Sequence, residues 1–190
     1  MKEEIAGIIQ SALMDLFDAQ PDILETTSAT TMTEWNLAHH FSFVLSKYLF
    51  WYDHDNDVVK RNYQSQRPDV IFHKRTKQSN NFLVVEMKKE HLINDDDKTK
   101  IIEAWFSAPL MYQYGACISI SNKNDFQILL IERSTNTEVT INNIDAREYN
   151  YYKFDDYDET RNTFRETMSR DETLDPHRIE TVIRKYRNRI

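Results

Sequence analysis

Two short runs of apolar, β-favouring residues lie close together in this chain and leave few folds open to it. Residues 69–73 read Asp-Val-Ile-Phe-His, and residues 81–88 read Asn-Phe-Leu-Val-Val-Glu-Met-Lys. The polar residues 74–80 separate them, so the pair is expected to form a hairpin. Neither run alternates apolar with polar residues, and strands of that kind are buried on both faces. Helices must then cover both sides. The expected fold class is α/β, a central mixed β-sheet flanked by helices.

The rest of the chain supplies candidates for those helices. Ile5, Ile8, Ile9, Ala12, Leu13, Leu16 and Phe17 recur at helical spacing before Pro21. A second stripe, Leu37, Ala38, Phe41, Val44, Leu45, Tyr48 and Leu49, follows Thr31 and Glu34, which have capping-box spacing. Residues 53–57 read as a polar turn and 58–63 as a short strand. Ile101, Ile102, Trp105 and Ala108 suggest a third helix, interrupted near Pro109. Residues 116–120 and 126–131 read as further strands joined by a turn at 121–125. Asp175-Pro176 opens a last amphipathic helix through Ile179, Val182, Ile183 and Tyr186. One domain over residues 1–190 is expected, with its core at about 31–131 and helical additions at both ends.

Composition narrows the chemistry. With 40% hydrophobic residues in 190, the chain can build one real core. No apolar run approaches the ~20 residues that cross a bilayer, and the N-terminus lacks the order of a secretory signal, so a cytoplasmic protein without membrane contact is expected. Cys117, the single cysteine, lies in an apolar run and reads as a buried thiol. Only Gly7 and Gly115 occur, which excludes glycine-rich loops that cradle nucleotide phosphates. A formal charge of −7 argues against a simple basic nucleic-acid binder, but not against an acidic site that works with a divalent cation.

Such a site emerges when the two central runs are paired antiparallel. Ile71 falls opposite Val84 and Asp69 opposite Glu86, so both carboxylates point to one face. Lys88 joins them by strand alternation, while Met87 points away. Two like charges so placed repel unless a proton or a cation intervenes. Mg2+ suits oxygen ligands and retains waters, leaving room for a phosphate and an attacking water. Lys88 brings positive charge to that water or to the phosphate oxygens.

At Arg67-Pro68-Asp69 and Glu86-Met87-Lys88 the chain resembles the PD-(D/E)XK nuclease superfamily, the restriction endonuclease-like proteins. The resemblance spans roughly residues 34–131. It implies that Asp69 and Glu86 bind the metal, that the carbonyl of Met87 completes the protein ligands, and that Lys88 acts on the water. It also implies Mg2+, with Mn2+ as a substitute, and a nucleic acid, DNA in the first instance, as partner; a homodimer is compatible with it. Glu34 matches the helix acid that many members add to the site. Its bland alternative is the capping box with Thr31. The runner-up for the whole chain is a catalytically silent nuclease-like domain that binds nucleic acid or a protein.

Other residues weigh less. Asp53, Asp55 and Asp57 alternate as in a calcium loop but lack its glycine and its closing glutamate. His39 and His40 are adjacent, so they face apart and read as ordinary packing. Gln113 and Tyr114 lack the spacing of the Gln-x-x-x-Tyr found in some related nucleases. Lys98 and Lys100 open the segment after the second run and could meet phosphates, as could Arg184, Lys185, Arg187 and Arg189. Their alternatives are a solvated helix face and helix-dipole compensation.

Overall fold

A computed structural model describes residues 1–28, 33–50, 52–56, 67–75, 81–89 and 92–142. Three helices come first: α1 (Lys2–Ala19), the short α2 (Ile23–Ser28) and α3 (Thr33–Tyr48). Strands β1 (Asp53–Asn56), β2 (Val70–His73) and β3 (Leu83–Lys89) follow. Helix α4 (Asp95–Lys100) runs directly into a π-helical turn, Ile101–Trp105, and the chain then forms β4 (Tyr114–Asn122), β5 (Asp125–Glu132) and β6 (Thr137–Asn142).

The six strands make one sheet in sequence order, β1 to β6. Every neighbouring pair is antiparallel except β3 and β4, which are parallel and joined by the crossover through α4. The fold is therefore α/β with a mixed sheet and flanking helices, as the unbroken apolar runs require. Alternate strand residues separate cleanly into two layers. Val70, Phe72, Leu83, Val85 and Met87 pack with α1 and α3, whereas Ile71 and Val84 pack with Ile101, Trp105, Phe106 and Tyr112 from the crossover. Among the described residues no helix is long and apolar enough to cross a membrane.

Several local expectations need correction. Residues 53–56 are an edge strand, not part of a turn. Their poor strand propensity is offset by cross-strand partners, since Asp55 accepts from His73 Nε2 at 2.7 Å and from Arg75 Nη2 at 2.7 Å. These bonds also commit the central acid of the calcium-loop pattern. The third helix starts earlier than its apolar residues suggest, because Asn94 and Asp97 form a reciprocal capping box. It ends in the π turn, before Pro109. Strands β4 and β5 meet closer together than expected, and neither α2 nor β6 has a counterpart in the sequence reading. The expected strand at 58–63, Asp57, Thr31 and everything from residue 143 onward, with the last helix and its basic cluster, lie outside the described residues.

Gly115 explains how the crossover lies so close to the sheet. A β-carbon there would come within 2.3 Å of Ile101 Cγ2 and 3.2 Å of Phe106 Cε1. Glycine is needed for the approach, not for its dihedral freedom. Gly115→Ala should lower stability by about 1–3 kcal/mol. Ile101→Ala should then cost less in the Gly115→Ala protein than in the wild type, because the two changes share one space. Denaturant titration of the four proteins checks this, and strictly additive losses would contradict it.

Candidate active site at the crossover

The hairpin register decides which side chains can meet. Val70 pairs with Val85 and Ile71 with Val84, so Asp69, one residue before β2, stands opposite Glu86. Alternation puts Asp69 on the face of Ile71, and Glu86 and Lys88 on the face of Val84. That face is the one covered by the crossover.

Where β2 stops, carboxylates take over its hydrogen-bonding role. Asp69 Oδ2 accepts the backbone N–H of Met87 at 2.6 Å, and Glu34 Oε1 accepts that of Lys89 at 3.2 Å. The β3 donors beyond Val85 are thus satisfied by side chains instead of a strand, which would otherwise leave them as unpaired main-chain groups. In an extended strand a residue's N–H and C=O face the same neighbour, so the Met87 carbonyl is on the Asp69 side of β3. Glu34 is exposed at the start of α3 and reaches the catalytic candidates' strand through its bond to the Lys89 N–H.

Glu86 has the most demanding environment. Its side chain is only 12% exposed, and its two oxygens have different donors: Trp105 Nε1 to Oε1 at 2.8 Å and Lys100 Nζ to Oε2 at 2.7 Å. Burial pushes its pKa up to about 7; Lys100 opposes the rise, and the neighbouring charge of Asp69 adds to it. Lys88 forms an ion pair with Asp97 of α4. On the neighbouring strand Cys117 pairs with Glu86 in register, and burial raises its thiol to about 12, which suits packing and not nucleophilic chemistry.

The geometry therefore gathers Asp69, Glu86, Lys88 and the Met87 carbonyl around one end of β3, with Glu34 on an adjacent backbone donor. It also brings in three residues that the sequence did not single out as a set: Asp97, Lys100 and Trp105. Trp105 and Lys100 carry a weak sequence signal, since both belong to the segment after the acidic strand. Their aim depends on the π turn, in which Phe106 N–H bonds to Ile101 O at 3.0 Å. Lys98 is directed elsewhere, to Glu138 on β6 at 2.9 Å. Among the described residues no group of three or more His, Cys, Asp or Glu side chains is gathered to hold a metal ion. Comparison with family models, with curated proteins and with solved structures gave no match to this chain.

The raised pKa of Glu86 has a stability consequence of definite sign. Between the ordinary 4.5 and about 7 the folded protein retains a proton that the unfolded chain has lost. This group's contribution is complete below 4.5 and is lost as pH rises through about 7. Glu86→Gln removes the dependence. It should be the more stable protein at pH 8, by of order 3 kcal/mol, with the gap closing by pH 4.5. Unfolding free energies at several pH values test it, and a gap that does not change with pH would refute the burial of a charge at this position.

Proposed function

We propose that this chain is a restriction endonuclease-like nuclease of the PD-(D/E)XK type that hydrolyses phosphodiester bonds in DNA with Mg2+ or Mn2+. The observation that carries the reading is the hairpin register, which aligns Asp69 with Glu86 and sets Lys88 on their face at the end of an otherwise apolar strand pair. Structural carboxylates in such a place would be better replaced by apolar residues, because a buried charge without full compensation is costly. The topology is compatible with the same assignment: a helix, three antiparallel strands, a crossover helix and a parallel fourth strand.

The donor set suits a hard divalent ion. Asp69, Glu86 and the Met87 carbonyl offer only oxygens, and the unfavourable charge of Glu86 is the kind that a cation relieves. Bound there, Mg2+ would polarise the phosphate and acidify a water. Trp105 keeps Glu86 Oε1 oriented, and the Met87 N–H does the same for Asp69. Lys88 orients the attacking water, whose oxygen bonds to phosphorus as the bond to the leaving sugar oxygen breaks. Asp97 holds the Lys88 ammonium at the correct side of β3. Glu34 steadies the strand end and adds negative charge at the rim of the site.

A second reading, the silent binding domain, draws on the ion pairs of Glu86 with Lys100 and of Lys88 with Asp97, which neutralise both groups without a metal. Activity separates the two. Purified protein should cleave DNA in Mg2+ or Mn2+ and not in chelator. Asp69→Asn and Glu86→Gln should each lower turnover by at least about 100-fold together with metal affinity, whereas Lys88→Ala should slow turnover and leave metal affinity largely intact. Glu34→Gln should have the smallest effect, since its amide oxygen still accepts from Lys89. Cleavage assays on single-stranded, double-stranded and branched substrates, beside calorimetric metal titration, decide it. No cleavage and no metal binding, with nucleic-acid or protein binding unchanged in all four variants, would establish the silent domain instead.

A further inference from the structure

Four charged side chains, two from β3 and two from α4, meet at the candidate site as crossed pairs. Glu86 and Lys88 alternate onto one face of the strand, and Lys100 and Asp97 lie three apart on the helix above them. The acid of the strand takes the base of the helix, and the base of the strand takes the acid. The two bases differ in what they could leave behind. Lys88 binds an acid that also serves the α4 capping box, in which the Asn94 N–H donates to Asp97 Oδ2 at 3.0 Å. Among the described residues Lys100 pairs with Glu86 alone, and its side chain is 35% exposed, so water is close to its ammonium.

Glu86 Oε2 cannot serve an ammonium at 2.7 Å and a directly coordinated divalent ion on the same lone-pair side. The other oxygen stays tied to Trp105, so the carboxylate need not turn when its partner changes. We propose that Lys100 is a built-in counter-cation: it occupies the cation's place at Glu86 in the free protein, competes with the divalent ion and withdraws toward solvent when the ion binds. The proposal rests on the metal-dependent reading above. It adds a residue that sets metal affinity from outside the ligand set, and it explains how a nearly buried carboxylate is tolerated before the ion arrives.

The test is metal affinity at pH 8, measured by calorimetry with MgCl2 and MnCl2 on the whole chain. Lys100→Met removes the charge at nearly constant size, Lys100→Gln retains a donor for Glu86, and Lys98→Met is the control for a general change in net charge. Circular dichroism and melting curves establish that each variant is folded. Both Lys100 variants should bind the ions about fivefold tighter than wild type, and Lys98→Met should match wild type. In a Mg2+ titration of the wild type followed by carbon-13 NMR, the Lys100 Cε resonance should move toward its free-lysine position while that of Lys98 stays fixed. Equal or weaker binding by both Lys100 variants, or equal tightening in Lys98→Met, would overturn the counter-cation while leaving the metal site standing. Absence of metal binding in wild type and in every variant would instead remove the metal-dependent reading, and this inference with it.

Discussion

Everything at the candidate site follows from one carboxylate kept largely out of water. Glu86 sits on a strand whose neighbours are apolar, on the face that the crossover covers. A charge in that position demands donors, and the fold recruits them from two consecutive segments: the ammonium from α4 and the indole N–H from the π turn. The extra residue in the π turn is thereby understandable. It lets residues five apart share the side of the sheet: Lys100 with Trp105, which both reach Glu86, and Ile101 with Phe106, which both pack above Gly115. Packing and polarity are satisfied by one continuous segment, the end of α4 and the π turn.

The shortness of β2 matters as much. Had the strand begun at Pro68, a main-chain carbonyl would have faced the Met87 N–H. Instead Asp69 and Glu34 supply the acceptors, so negative charge collects where a ladder would have been electrically neutral. The sheet thus ends in a set of oxygens that is already oriented by hydrogen bonds. Pre-positioned groups of this kind need little rearrangement to act on a ligand.

Much of this was legible in the sequence, and the reasons are local. Unbroken apolar runs imply a doubly covered sheet. The hairpin register mattered most, because a one-residue slip would have put Asp69 and Glu86 on opposite faces. Glu34 was visible as an acid at the start of an amphipathic stripe, although its distant bond to Lys89 was not. The edge strand β1 escaped notice because Asp-His-Asp-Asn has almost no strand propensity and is held by Asp55 with His73 and Arg75. Lys100 and Trp105 were hidden for another reason. Helical periodicity at 3.6 residues mis-aims side chains across a π turn, so no wheel drawn on the sequence brings both to Glu86.

The parallel pairing of β3 with β4 gives the site a history. Asp69 and Glu86 belong to a local hairpin that a growing chain can close early, whereas Trp105 reaches Glu86 only when the crossover is seated against β4. Long-range parallel pairing is slow relative to hairpin closure. During synthesis, a ribosome must therefore extrude residues well past 100 before the acid pair acquires its full set of donors. Those donors are withheld from the nascent chain until the far side of the sheet exists.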